Sequence, residues 1–523
     1  MKHIGLGKIS YITVVIIIIS LWQMLIGDSA YIYLDSTKQV IQGFGAANIQ
    51  PWRPDMTDEE IEKAFGTGEG QLGFTILRIR VPNDEDQFSM NVRTAKAAYE
   101  RGVKIIASPW SPPAYMKSNN NVVGGRLLDE YYDDFAEYLK SFAEYMAENG
   151  APLYAISIQN EPDIKVGYES CDWTASDMVK FLRENVSIIR SEGVKIMAPE
   201  SYQFRREMSD PILNDSLACA NLDIVAGHIY GGGIAPYPLA EEKGKEIWMT
   251  EYLINSGSEP TDTGIDTGWA GAMQTAKSIQ SCMNVGMSAY VWWYIVRYYG
   301  PISDGTFVPR GKITKKGYVM SQFSRFIRPG YRRVYSTYIP QRDVFVTSYK
   351  GDSINNKIII VAINSGSEDK QQDFIIKDGI VSKFTPFTTS SGKNCERGED
   401  IMVTDSAFSI TLPASSITTF VSDEIRDGIV ENRNVLNEFH LFQNYPNPFN
   451  SVTKIRYSVL DKCYVKLKLY NLLGKEVCTI FDGLSNSGTY EVILDGSSLE
   501  SGVYIYTMEL NGKKVSKKLL LIK

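Results

Sequence analysis

Short apolar runs alternate with stretches of helical period through the first three-fifths of the chain. The runs at 43–48, 74–81, 104–110, 153–161, 195–201, 222–230, 246–252 and 289–295 are nearly continuous in apolar side chains. Strands buried on both faces of a parallel sheet have that composition. Between the runs the spacing changes to three and four. Phe135, Tyr138, Leu139, Phe142 and Met146 fall on one helical face, and Asn149-Gly150 supplies a stop. This repeated alternation predicts an α/β fold, a (β/α)8 barrel in preference to an open doubly wound sheet.

Past Gly330 the pattern becomes one of short alternating runs, at 344–349, 357–364, 372–376 and 406–412. These predict an antiparallel β side domain. A lone alternating segment at 31–35 precedes the barrel and is expected to join that domain. A charged stretch poor in aromatics follows, and then a unit with turn signals at Asn450-Ser451, Asp482-Gly483 and Asn511-Gly512. About seven strands and such turns predict a small all-β sandwich.

At the other end, Lys2, His3 and Lys8 precede an apolar stretch over 11–26, and small residues follow. The stretch is short for the ~20 residues a membrane span needs, so it reads as an export signal. No stable transmembrane span is expected in the mature protein. The predicted organisation is a signal over 1–29, the first side-domain strand over 30–38 and the barrel over 39–330. The rest of the side domain over 331–423, a linker over 424–438 and the sandwich over 439–523 complete it.

Composition narrows the chemistry. A length of 523 residues exceeds one hydrophobic core, and the net charge of −7 comes without any Lys/Arg block. Nucleic acid is therefore not an expected partner. The six cysteines contain no CxxC pair, which argues against a disulfide framework. Histidine occurs only at His3, His228 and His440, which excludes a His-rich metal site. A Ser-His-Asp triad would need His228, and no GxSxG elbow accompanies it. The GxGxxG match at Gly68, Gly70 and Gly73 precedes a strand instead of following one, so it offers no phosphate cradle. Gly231-Gly232-Gly233 reads as a flexible active-site loop. Carboxylate chemistry without metal or cofactor remains.

Two glutamates close predicted strands, Glu161 in Asn160-Glu161-Pro162 and Glu251 in Trp248-Met249-Thr250-Glu251-Tyr252. In a (β/α)8 barrel, that end of each strand opens onto the active-site face. Two carboxylates facing each other there are the equipment of glycoside hydrolysis. Either glutamate by itself fits a strand-end turn or a helix cap equally well; the pair on the fourth and seventh strands points to catalysis. Glu161 is expected to be a general acid/base raised by burial and a like-charged neighbour, and Glu251 an ionised nucleophile. Asn160 is placed to hydrogen-bond a sugar 2-hydroxyl.

Longer motifs carry a resemblance. They are Gln42-Gly-Phe-Gly45, Ser108-Pro-Trp-Ser-Pro-Pro113, Ser157-Ile-Gln-Asn-Glu-Pro162, Tyr168-Glu-Ser-Cys171, Gly227-His-Ile-Tyr230, Trp248-Met-Thr-Glu251, Trp292-Trp-Tyr294 and Leu412-Pro-Ala-Ser-Ser-Ile417. Together they make residues 31–423 resemble glycoside hydrolase family 30, in its bacterial glucuronoxylan endo-xylanase branch. The resemblance implies a retaining endo-β-1,4-xylanase with Glu161 as acid/base and Glu251 as nucleophile. It also implies Trp110, Tyr168, Tyr230 and Trp293 as sugar-contacting aromatics and His228 as a structural or polar neighbour of the site. Arg297 and Tyr299, supported by Ser256, match the branch's grip on a glucuronate side group. Val296 and Leu253 stand where the branch usually has arginine and tyrosine, which implies a looser glucuronate requirement. A β-1,6-glucanase or glucosylceramidase of the same family is the nearest alternative. A sugar-binding surface protein without activity is the alternative of another class.

The last unit resembles a type IX secretion sorting domain, through Gln443-Asn-Tyr-Pro-Asn-Pro-Phe-Asn450, Leu472-Leu-Gly-Lys-Glu476, Ser501-Gly-Val-Tyr-Ile-Tyr506 and the basic-apolar end Lys517–Lys523. That implies secretion machinery as a partner and a secreted or cell-surface location. A carbohydrate-binding sandwich is the weaker alternative, because residues 439–523 contain no Trp.

Overall fold

The computed structural model describes residues 29–190, 193–254, 268–352, 355–425, 439–459, 462–486, 488–510 and 513–523. The apolar N-terminal stretch, Ser256, most of the linker and the Asn511-Gly512 signal lie outside them. Residues up to Ile425 form one compact unit and those from Phe439 another.

Strand β1 (Ala30–Val40) belongs to the side domain. After it, β2 (Gly43–Ala47), β3 (Ile76–Val81), β4 (Lys104–Pro109), β5 (Leu153–Ser157), β6 (Lys195–Ser201), β7 (Ile224–His228), β8 (Glu246–Glu251) and β9 (Ala289–Tyr294) close into a parallel barrel. The (β/α)8 expectation holds. Most predicted runs overshoot, however: 74–81 begins as strand only at Ile76, 153–161 ends as strand at Ser157, and 222–230 is strand only over Ile224–His228. Phe74 and Ile158 are as buried as strand residues, so side-chain polarity does not mark the strand ends.

Alternation then sorts the side chains. Ile76, Ile106, Met197, Trp248 and Val291 pack inside the barrel. Leu77, Ile105, Ile156, Val225 and Met249 face the helices. Gly45 is required by closeness, since a Cβ there would lie 1.8 Å from the Ile76 carbonyl oxygen. The helix Tyr132–Glu148 buries the predicted face, and Asn149 caps it ahead of Gly150 at φ 80°. Each such Leu or Phe adds about 1.5–3 kcal/mol by leaving water.

Among the described residues ten strands form the side sheet, including β10 (Arg332–Ser336), β11 (Val344–Lys350), β12 (Lys357–Asn364), β13 (Lys370–Lys377) and the strand Ser416–Glu424. As expected, β1 joins it, antiparallel to β10; its other edge runs parallel to β13. The strand is longer than the predicted segment. The sheet also continues past the predicted linker boundary, because Glu424 pairs with Lys357 and the Ile425 amide donates to the Asn356 carbonyl at 2.7 Å. Both faces of β12 are buried. Ile359, Val361 and Ile363 pack into the core shared with the barrel helices, and Ile358, Ile360 and Ala362 into the side domain's own core.

The C-terminal unit has seven strands in sheets of three and four, around a core that includes Tyr457, Leu467, Tyr506 and Leu519. One expected turn is a strand: Asp482 and Gly483 pair with Lys466 and Val465 inside Glu476–Ser485. The turn falls earlier, where the Asn471 side chain accepts from the Leu473 and Lys475 amides and Gly474 takes φ 74°. An asparagine oxygen mimicking a backbone acceptor suffices to reverse the chain there. No disulfide joins any of the six cysteines.

Candidate active site

The C-terminal ends of the barrel strands surround a cavity of about 570 Å³ lined by Trp52, Trp110, Glu161, Tyr168, Tyr202, Tyr230, Glu251, Leu253 and Trp293. Glu251 ends β8. Glu161 lies four residues beyond β5 in left-handed backbone, φ 48°. Its amide donates to the Glu200 carbonyl at 3.1 Å, and the Asn160 amide to the Pro109 carbonyl at 2.8 Å. Those bonds hold a conformation that costs a non-glycine residue about 1–3 kcal/mol. Carboxylate oxygens of Glu161 and Glu251 and a ring nitrogen of His228 all lie within 4.8 Å of one another.

Beneath the cavity is a fully buried charge cluster. Arg78, from the interior face of β3, donates to Glu251 Oε2 at 2.5 Å and Asn160 Oδ1 at 2.6 Å. It also reaches Glu200 Oε1 at 3.3 Å and Ser108 Oγ at 3.3 Å. Its guanidinium lies 4.8 Å from the Trp110 ring centre. His228 Nδ1 is 3.0 Å from Glu161 Oε1, and Nε2 faces Glu200 Oε1 at 3.9 Å, too far for a hydrogen bond. Burial opposes a charged imidazole, but Glu251, Glu161 and Glu200 outweigh it and lift His228 to about 9. Burial likewise opposes charge on Glu200, yet Arg78 and His228 hold its carboxyl well below the usual range. At Glu251 burial pushes the carboxyl up, and His228 and Arg78 pull against it.

Tyrosines complete the two carboxylates. Tyr168 Oη donates to Glu161 Oε2 at 3.0 Å, and Tyr230 Oη donates to Glu251 Oε1 at 2.9 Å. Tyr202 stacks on Tyr230 at 5.0 Å. Asn160 Nδ2 is buried with no partner among the described residues. Trp110 and Trp293 sit 5.6 Å apart on the cavity wall. Glu161, His228 and Glu251 are close enough to grip a cation. Arg78 already pairs with Glu251 at 2.5 Å, however, so that carboxylate is engaged by a fixed cation of the protein.

Arg297 and Tyr299 follow β9. Arg297 Nη1 donates to Asp304 Oδ2 at 2.9 Å, and its Nε is buried without a partner among the described residues. Tyr299 is buried with Trp110 and Tyr294, its ring centre 5.9 Å from the Arg297 guanidinium. In the loop Gly231–Gly233 the first two glycines are exposed, but Gly233 packs closely, since a Cβ there would meet the Gln203 carbonyl oxygen at 2.7 Å. Close packing, beside φ 91°, is what calls for glycine there.

Sequence reasoning passed over Arg78, Glu200, Trp52, Tyr202 and Asp304. Two signals were present: arginines in the apolar run Ile76-Leu-Arg-Ile-Arg-Val81, and a third strand closed by a glutamate, Ala198-Pro199-Glu200. A charge inside a buried strand demands a partner.

A barrel with two opposed glutamates at its strand ends defines a glycoside hydrolase. Residues 62–301 match the description "Glycosyl hydrolase family 30 TIM-barrel domain". A glucuronoxylanase from Bacillus subtilis strain 168 is 41% identical over 409 residues, covering 76% of this chain and 93% of the relative. The solved family 30 subfamily 8 xylanase of Clostridium acetobutylicum is 38% identical with TM-score 0.68, covering 76% of this chain and all of that one. A family 30 endoxylanase from Clostridium papyrosolvens is similar at 37% identity and TM-score 0.66, with the same coverage. The chain belongs to glycosyl hydrolase family 30. Residues 443–523 match a secretion system C-terminal sorting domain, which marks an exported protein, secreted or held at the cell surface. No helix among the described residues is long and apolar enough to cross a membrane.

Proposed function

We propose that this protein is a retaining endo-β-1,4-xylanase acting on glucuronoxylan. The observation that carries the reading is the Glu161/Glu251 pair, with carboxylate oxygens within 4.8 Å across an aromatic cavity. Retaining glycosidases hold their carboxyl groups about 5–5.5 Å apart, whereas inverting ones leave room for a water at about 6.5–9.5 Å. Glu251 attacks the anomeric carbon while Glu161 passes its proton to the departing sugar oxygen. Water then gives a proton to Glu161 as its oxygen bonds that carbon, releasing the Glu251 carboxylate. The unpartnered Asn160 amide supports the step by donating to the 2-hydroxyl, a bond that strengthens in the transition state. Trp110, Trp293 and Tyr168 bound the sugar faces.

Xylan as substrate follows the names of the relatives, a glucuronoxylanase and two xylanases. A glucuronate side group would pair with the Arg297 guanidinium, whose Nη1 is held by Asp304 and whose Nε is buried without a partner among the described residues. Export by a type IX route, after removal of the N-terminal signal, fits the sorting domain. The test is Glu251→Ala on glucuronoxylan. Turnover should vanish, and azide should restore part of it as the inverted glycosyl azide. Turnover by the variant without any added nucleophile would remove the assignment. Equal or better hydrolysis of β-1,6-glucan by the wild type would move it to the glucanases of the family.

A further inference from the structure

Glu200 is fully buried, takes no part in lining the cavity, and occupies left-handed backbone at φ 53° at the end of β6. Its carboxylate faces both cations of the cluster, Arg78 at 3.3 Å and His228 at 3.9 Å. Those cations divide the two reacting glutamates between them: Arg78 bonds Glu251 at 2.5 Å, and His228 contacts Glu161 at 3.0 Å.

The reaction moves charge along that division. Before attack, Glu251 is anionic and Glu161 carries a proton. In the glycosyl-enzyme, Glu251 is a neutral ester and Glu161, having given its proton to the leaving oxygen, is anionic. Hydrolysis reverses both changes. One negative charge therefore passes from Arg78's partner to His228's partner and back. Two cations facing one mobile anion would leave a surplus positive charge in a buried site. A second anion that never reacts removes it.

We propose that Glu200 is a positioning residue, the fixed counter-charge that keeps Arg78 and His228 cationic and the cluster neutral at every stage of the reaction. The inference rests on Glu161 and Glu251 as acid/base and nucleophile. The charged groups facing His228 are Glu161 from the segment after β5, Glu200 from β6 and Glu251 from β8. Tyr230 lies beyond its own strand with ring centres 6.0 Å apart, and Arg78 pairs with Glu200 and Glu251. Of these carboxylates, Glu200 alone keeps its charge throughout the reaction scheme. The upward shift of His228 and the downward shift of Glu200 agree with that arrangement.

Glu200→Gln tests it with little change of shape. Without the fixed anion, the cluster should regain neutrality by losing a proton from Glu161 or His228 at lower pH. The alkaline limb of kcat/KM on glucuronoxylan should move down by at least one pH unit, with KM changed less than kcat. Glu200→Asp should restore most of the limb. A uniform loss at all pH values, with the limb in place, would mean a structural prop and overturn the proposal. Wild-type enzyme gives a second reading that needs no variant of the site. With three histidines in the chain, imidazole NMR resolves His228 once His3→Gln and His440→Gln identify the others. An imidazolium persisting beyond pH 8 supports the proposal, and a midpoint below pH 7 overturns it. Absence of azide rescue in Glu251→Ala is a separate result, which would unseat the nucleophile and leave the His228 titration to be read on its own.

Discussion

Replacing Arg78 by Met should cripple the enzyme in acid more than in alkali. Arg78 is fully buried and makes a 2.5 Å charged bond to Glu251. Burial pushes Glu251 up, and Arg78 is one of two cations opposing that push. A hydrogen bond to a charged group contributes about 1.5–3 kcal/mol. At about 1.36 kcal/mol per pKa unit, its loss raises Glu251 by roughly one to two units. As the proposed nucleophile, Glu251 cannot attack when protonated, so the acid limb of kcat/KM should move up by the same one to two units. Activity should recover in part toward pH 8. Arg78→Lys keeps the charge but not the fork that spans Glu251, Asn160 and Glu200, so its shift should be smaller. The assay is initial-rate release of reducing sugar from glucuronoxylan between pH 4 and 9, with thermal melts as a folding control. An acid limb that stays in place in a folded Arg78→Met enzyme would refute the reasoning, because the ionisation of Glu251 would then not depend on Arg78.

On the proposed Arg297–glucuronate contact, Arg297→Ala should lower kcat/KM on glucuronoxylan about ten- to hundredfold, the worth of one charge-assisted bond, and leave linear xylooligosaccharides nearly unchanged. Parallel rates on the two substrates check it. Tyr230→Phe deletes the 2.9 Å donor to Glu251 and should reduce kcat by about tenfold or more, measured at the pH optimum. His228, raised to about 9 in the fold from about 6.5 when unfolded, adds stability that is complete below pH 6.5 and lost as pH rises through 9. Thermal melts should therefore fall across that window in the wild type and flatten in His228→Asn. Thr57→Ala breaks the reciprocal cap between Thr57 and Glu60 and should cost about 0.5–2 kcal/mol, read by denaturant unfolding, with kcat unchanged.

The barrel was legible because its strands are buried on both faces. Polarity then follows the sheet, and eight apolar runs map onto β2–β9. Their ends were less legible. Ile158 continues an apolar run after the strand has ended, since the turn into Glu161 is itself buried. In the side domain, β1 pairs with strands far along the chain, and its alternating exposure was a sufficient signal for a half-buried strand. The Asp482-Gly483 turn failed for the converse reason. Its dipeptide is compatible with a turn, but an asparagine side chain at Asn471 reverses the chain first, and the pairing that follows leaves Gly483 opposite Val465.

Within the site, legibility divided by what each residue's neighbours are in sequence. Glu161 and Glu251 announce themselves because each ends an apolar run, and barrel geometry brings such ends together. Glu200 ends a run in the same way, and was passed over because two carboxylates already satisfy glycoside hydrolysis. Counting charge instead of catalysts would have found it. Arg78 sits at an interior position of β3 with nowhere to put its charge except the centre of the barrel. A buried cation there requires anions, and if Glu251 and Glu161 share one mobile charge as proposed, a charged histidine in the same cluster requires one anion more. The Arg297–Asp304 pair offered no such arithmetic. Both are loop side chains only about 20% and 18% exposed, and only the folded path of the chain brings them to 2.9 Å.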